Sequence, residues 1–294
     1  MKTINAFLAL LLLNSCITAQ DIVQEGESLT LVSEEFEFTE GPAVDKEGNI
    51  FFTDQPNDRI LKWDAKTNTV SDWMHPSGRS NGLYFDNQGN LISCADEKNQ
   101  LWKIDPEKNV TVLVEKFEGK FLGGPNDVWV DPRGGIYITD PLYKRDWWED
   151  RTPEVEKRRV YYLAPGSNTL TIVEEDLVMP NGIVGSKNGK KLFIADPDDK
   201  KTYVYKINKD GSLSGRELFC EMGSDGMTLD NKGNLYLTGN GVTVFNKSGE
   251  KIKHIKIPKG WTANVTLGGP NRDILFITAL DAVYTLKMKV KGIN

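Results

Sequence analysis

The chain predicts an all-β fold, a six-bladed β-propeller with one four-stranded sheet per repeat, and three observations carry the prediction. The first is a phrase repeated along the chain: a small polar pair, an apolar stretch, an Asp-x-x-Gly-Asn turn, then a short β-rich run. The second is its period. The marked polar residue falls at Glu40, Asn81, Asn126, Asn181, Asp225 and, in a worn last copy, at Ala263, with spacings of 41, 45, 55, 44 and 38 residues. The third is the near absence of helical periodicity, which leaves strands and turns to account for the whole repeat.

Each copy justifies one blade. Glu40-Gly41-Pro42 runs through the turn Asp45-Lys46-Glu47-Gly48-Asn49 into the apolar run 50–54, with Gly supplying the positive φ of a tight hairpin. Asn81-Gly82-Leu83 leads through the turn at 86–90 to a second run, and a further pair of strands follows at 100–104 and 110–114. Asn126-Asp127-Val128, Asn181-Gly182-Ile183 and Asp225-Gly226-Met227 open the next three copies, and 262–265 opens the last. The third copy is the longest. Its extra segment, 141–151, carries Trp147 and Trp148 among charges, where one of two adjacent indoles must point away from a blade core. Aromatic faces pack on the C–H surfaces of a sugar, so this segment is expected to wall the channel mouth; the alternative is a loop folded onto the outside of the blade.

Composition fits one closed β domain spanning 21–294. A hydrophobic fraction of 39%, with seven Trp and twelve Phe, is enough to fill the spaces between blades. The net charge of −6 leaves no basic footprint and argues against nucleic acid as a partner. Residues 1–20 read as an export signal: Lys2, an apolar run over 6–13 too short to span a bilayer, and small residues from Ser15 to Ala19. Leu13-Asn14-Ser15-Cys16 resembles a lipobox, with Asn14 as a departure. Lipid attachment at Cys16 and cleavage near Ala19 or Gln20 are the two outcomes, and both place the mature chain in the periplasm, on the outer membrane or outside the cell. Cys94 replaces Thr53, Thr139 and Ala195 of other copies and reads as a small buried strand residue, not half of a disulfide.

Equivalent positions on the innermost strands of a propeller form a ring around the axis. Here five of the six carry side-chain oxygen, two of them carboxylates. Each residue alone is a common turn former, but a turn needs no set of carboxylates and amides converging on one axis. Such a set selects a hard divalent cation, Ca²⁺ first, with Mg²⁺, Mn²⁺ or Zn²⁺ behind. His75, in a loop before Pro76, and His254, on an outer strand, fall outside the ring and receive no role.

Over about residues 33 to 285 the chain resembles the senescence-marker-protein/gluconolactonase/luciferin-regenerating-enzyme family, and within it the bacterial gluconolactonases. The resemblance rests on Thr39-Glu40-Gly41-Pro42, Arg79-Ser80-Asn81-Gly82-Leu83, Pro125-Asn126-Asp127-Val128, Pro180-Asn181-Gly182-Ile183 and Ser224-Asp225-Gly226-Met227. It implies one divalent cation on Glu40, Asn181 and Asp225, with Asn126 beside it as ligand or substrate contact and Asp225 as catalytic base. The implied activity is hydrolysis of a sugar lactone such as glucono-1,5-lactone. Gly124 stands where the vertebrate branch carries a substrate-binding Arg, and Gly123-Gly124 replaces the Asn-Ser frequent among gluconolactonases, leaving room for a bulkier substrate. Asn81, Arg79, Lys120, Trp147 and Trp148 complete the candidate substrate contacts, with Arg79 and Lys120 equally readable as solvated loop charges. The rival readings are hydrolysis of a phosphoester on the same site and a non-catalytic propeller binding carbohydrate or protein. No Ser-His-Asp constellation is visible to suggest a serine hydrolase, and the chain has only two histidines.

Overall fold

A computed structural model describes residues 21–145, 147–148 and 154–293. The expected export signal with Cys16, and part of the third-repeat segment, lie outside the described residues. Among those described there is no helix, and six four-stranded antiparallel sheets succeed one another along the chain. The innermost strands are Thr39–Val44, Ser80–Phe85, Val128–Val130, Ile183–Gly185, Met227–Leu229 and Asn264–Gly268. Each touches the next, and the last touches the first, so they enclose a central axis. The propeller is six-bladed, as the repeats predict.

The ring is closed by an exchange the repeats do not announce. The sixth sheet takes its outermost strand, Thr30–Ser33, from the N-terminal side, paired antiparallel to Ala282–Lys287. A strand from before the first blade is thereby tied to the last one, covering the edge that Ala282–Lys287 would otherwise expose.

The recurring turn explains itself chemically. Asp45 and Asp86 each accept two backbone N–H groups from their own turn on Oδ1, and the Asn four residues on donates to Oδ2 at 2.8 Å. Asp230 repeats the pattern with Asn234 at 2.7 Å. The Asp-x-x-Gly-Asn phrase is therefore a self-contained hydrogen-bond cage, in which Gly48 takes a φ of 93°.

Between blades the apolar faces interlock. Phe52, fully buried, meets Phe36 edge-on at 5.3 Å and Phe276 of the sixth blade at 5.4 Å. Cys94 is fully buried and unbridged, as expected from its strand position. On the turn side of the ring the axis opens into a cavity of about 400 Å³ lined by Val44, Tyr84, Trp129, Val184 and Val265.

Candidate active site at the channel mouth

Backbone bonding fixes the ring before any side chain is considered. Asn126, Asn181 and Ala263 each donate N–H to the carbonyl of the facing strand, at Thr139, Ala195 and Thr278, at 2.9–3.0 Å. This equivalence places Ala263 in register with the Asn residues, so the sixth blade contributes no side-chain ligand at that level. The Thr53 hydroxyl donates to the carbonyl of Asn81 at 3.1 Å, and that of Thr238 to Ala263 at 2.8 Å. Buried hydroxyls thus hold neighbouring blades in fixed relation at the site.

Asn181 Nδ2 donates to Asp225 Oδ1 at 2.9 Å and to the Tyr143 hydroxyl at 3.3 Å. Because a carboxylate only accepts, this sets the amide orientation and turns Asn181 Oδ1 away from Asp225. Trp261 Nε1 donates to Asp225 Oδ2 at 2.8 Å. The Asn126 side chain, buried, forms no hydrogen bond with any described residue, and Asn81 Oδ1 is buried without a partner.

One residue beyond the ring, four copies have Gly (Gly41, Gly82, Gly182, Gly226) and two have Asp127 and Asn264. The glycines are required. A Cβ on Gly226 would lie 1.8 Å from Asn264 Cγ, and one on Gly82 would lie 2.7 Å from Asp127 Oδ1. Asn264 Nδ2 donates to Glu40 Oε2 at 2.9 Å, while Asp127 accepts from the backbone N–H of Val128 at 2.9 Å and of Ile183 at 3.3 Å. The sequence reading missed both as site residues. Their signal was legible: a polar side chain at a position otherwise reserved for Gly.

Three carboxylates therefore gather under the mouth. Burial pushes the Glu40 carboxyl well above the usual range, and the charges of Asp225 and Asp127 push it the same way. Burial lifts Asp127 to about 7. Asp225 is raised by burial too, against the opposing pull of the Trp261 and Asn181 donors and the Arg145 guanidinium. Among the described residues no three His, Cys, Asp or Glu side chains converge as a metal cluster. The ring instead mixes two carboxylates with amides. Mutually repelling buried carboxylates, an unpartnered amide oxygen at Asn81 and an unengaged amide at Asn126 are the donor chemistry a hard cation requires, so the residues fit one.

The remaining candidates divide. Arg79, with φ 48°, donates through Nη1 to the Pro56 carbonyl at 2.7 Å and lies 4.8 Å over the Trp147 ring. Lys120 is exposed on a two-stranded hairpin, and no hydrogen bond or ion pair among the described residues ties it to the ring. Trp147 is half-buried under Arg79. Trp148 is 3% exposed and donates Nε1 to the carbonyl of Asp96 at 3.1 Å, so its indole is packing and offers no face to a ligand. The expected room at Gly123-Gly124 is also filled. A Cβ on Gly123 would meet Leu142 at 2.8 Å and Val155 at 3.0 Å, and one on Gly124 would meet Asp96 Oδ1 at 3.1 Å and Trp148 at 3.3 Å. The two glycines exist to receive the third-repeat segment. His75 and His254 stand away from the ring, exposed.

Comparison with known proteins agrees with this geometry. Residues 38–281 match the model of the SMP-30/Gluconolactonase/LRE-like region. The gluconolactonase of Zymomonas mobilis is 26% identical over 92% of this chain and 84% of its own length. Diisopropyl-fluorophosphatase of Loligo vulgaris is 25% identical over 85% of this chain and 88% of its own. The solved gluconolactonase of Xanthomonas campestris superposes with a TM-score of 0.83 at 26% identity, covering 91% of both chains. By the matched span and the shared six-bladed architecture, the chain belongs to the SMP-30/gluconolactonase/LRE-like family.

Proposed function

We propose that this chain is a lactonase that hydrolyses a sugar lactone to the open hydroxy acid with a divalent cation bound at the channel mouth. The observation that carries the reading is the convergence of Glu40, Asn181 and Asp225 at one end of the axis, with Asp225 fixed from both sides. Glu40, Asn181 and Asp225 would hold the cation, with Asn126 alongside, and Ca²⁺ suits their oxygen set best. When bound it would supply positive charge against the oxyanion that ester hydrolysis develops.

The chain's own residues account for the rest. Hydrolysis adds water across the acyl C–O bond of the ring: water oxygen joins the carbonyl carbon, one proton leaves that water, and the ring oxygen departs and gains a proton. Asp225 is placed to take the proton. Its oxygens are held by Asn181 and Trp261, so it cannot swing away, and burial raises its affinity for a proton. The Trp261 and Asn181 donors, and after them Arg145, oppose that rise. The relatives named gluconolactonase support this reading. A panel of lactones followed by acid release, with chelator treatment and metal add-back, tests it. Absence of turnover on every lactone with metal restored would sink the activity, and turnover indifferent to chelator would sink the metal.

A second reading, hydrolysis of a fluorophosphate at the same residues, is supported by the Loligo vulgaris relative. A fluorophosphate assayed beside the lactones discriminates the two. Export through residues 1–20 is also proposed, and mass spectrometry of the mature N-terminus reads it directly: acylated Cys16, a free terminus near Gln20, or an intact Met1 that overturns it.

A further inference from the structure

One cation at the mouth has no part in the ring and no counterpart in the repeat. Arg145 lies in the segment that lengthens the third blade, and its environment is built. Its Nε donates to Asp96 Oδ2 at 2.6 Å, and Asp96 is itself fully buried and receives Gln55 Nε2 at 3.2 Å. Its guanidinium carbon lies 5.2 Å from the Tyr143 ring and 5.6 Å from the Trp147 ring, so aromatic faces clasp it. Beneath it, Trp148 packs against Gly124 and bonds the Asp96 carbonyl. A surface arginine holding a loop down would need none of this.

The clasp aims the group at the site. Tyr143, one wall of the clasp, accepts from Asn181 Nδ2, so the clasp abuts the ring. The side chain is 20% exposed, and among the described residues nothing hydrogen-bonds its Nη atoms. Among the described residues the Nε edge is spent on Asp96, and the terminal N–H groups remain for a ligand seated against the ring. A guanidinium offers parallel N–H donors in a rigid fork, which fits two oxygens on adjacent atoms. On a neutral ring lactone, such a pair is a vicinal diol.

We propose that Arg145 is the specificity-determining residue of this site, reading adjacent hydroxyl groups of a polyhydroxylated lactone and thereby favouring sugar lactones over unsubstituted ones. This rests on the lactonase reading for its substrate class, but the claim about hydroxyl recognition can be read by binding alone. Anchoring by Asp96, Tyr143 and Trp147 fixes the fork before substrate arrives, so little side-chain entropy is lost on binding.

The test compares wild type, Arg145→Lys and Arg145→Ala on glucono-1,5-lactone and on δ-valerolactone, which has the ring but no hydroxyls. Binding of 1,5-anhydroglucitol, which has the hydroxyls but no ester, is followed in parallel by ligand-observed NMR. Arg145→Ala should lower kcat/KM on gluconolactone by about 10–100-fold, the range for lost charge-assisted hydrogen bonds, mainly through KM. The loss on δ-valerolactone should be at least about tenfold smaller, given that no hydroxyl is read there. Arg145→Lys, which keeps charge and loop anchorage but not the fork, should show most of the same discrimination. Added guanidinium ion should partly restore Arg145→Ala on gluconolactone only. Equal losses on both lactones, or undiminished anhydroglucitol binding in both variants, overturns the proposal. If wild type hydrolyses no lactone but binds anhydroglucitol through Arg145, hydroxyl recognition stands and the lactonase reading falls. If neither binding nor discrimination depends on Arg145, the proposal falls while the lactonase reading is judged on turnover.

Discussion

The two ends of the central channel use the same residue type in opposite ways. At the turn end, Asp45, Asp86 and Asp230 give both carboxylate oxygens to donors within four residues, so each charge is satisfied by its own hairpin. At the mouth, Glu40, Asp127 and Asp225 come from three blades and press their charges on one another. A carboxylate with local partners is architecture. One held by distant residues against like charge stores an unfavourable interaction that a bound cation can relieve, and such arrangements mark functional sites.

The sharpest way to break the comparison is to remove charge at the mouth. Asp225→Ala and Glu40→Gln should each reduce kcat/KM on the active lactone by roughly 10²–10⁴-fold, the scale of a lost general base or an impaired metal site. In chelated protein Glu40→Gln should be at least as thermostable as wild type, because it removes like-charge repulsion in a buried site. Wild-type rates in either variant would remove these residues from the chemistry. A lower melting temperature for chelated Glu40→Gln would show that its carboxylate is structural after all.

Asp140 stands between the two cases. It is fully buried and accepts Gly123 N–H at 2.9 Å on Oδ2, yet Oδ1 has no hydrogen-bond partner. Burial is the main reason its pKa rises from 3.8 to about 7. The folded state therefore holds a proton that the unfolded chain releases, and stability from this group is lost as pH climbs from about 4 to about 7. Chelated wild type should weaken across that window by up to a few kcal/mol in urea melts, and Asp140→Asn should flatten the slope by about one proton. An unchanged slope in Asp140→Asn would assign the pH dependence to the mouth carboxylates.

Sequence alone showed the six blades and the ring because both are periodic: turn cage, strand and marked residue recur at fixed offsets. What broke the period was harder to read. Ala263 was placed correctly, but the polar contribution of the sixth blade shifts one residue on, to Asn264, whose amide reaches Glu40. Gly123-Gly124 looked like vacant space because an absent side chain does not reveal what fills its place; Leu142 and Trp148 do. Arg145 and Trp261 reach the site from connecting segments, where no repeat fixes the direction of a side chain.

Trp261 sharpens the comparison from the partner's side. It is 43% exposed for its size, and its one polar atom is committed to Asp225. Trp261→Phe keeps an aromatic wall but deletes the donor, and a hydrogen bond to a charged group is worth about 1.5–3 kcal/mol. We expect kcat to fall by about 10–100-fold with little change in melting temperature. A change confined to KM would make the indole a substrate platform and not an anchor for the base.

The smallest expected effect comes from the other end of the channel. Asp86→Ala deletes a carboxylate that accepts Gln88 N–H at 2.9 Å, Asn90 N–H at 2.8 Å and Asn90 Nδ2 at 2.8 Å. These groups sit at a partly exposed turn, so water replaces much of what is lost and the cost should be about 1–2 kcal/mol. For a chain of this size that is a fall in melting temperature of roughly 2–8 °C. Activity per folded molecule and cation affinity should stay within about twofold of wild type, since nothing in the cage reaches the ring and distant sites act independently. Should Asp86→Ala instead lower cation affinity as Glu40→Gln does, the turn and mouth carboxylates would form one electrostatic system, and the division drawn between the two ends would fail.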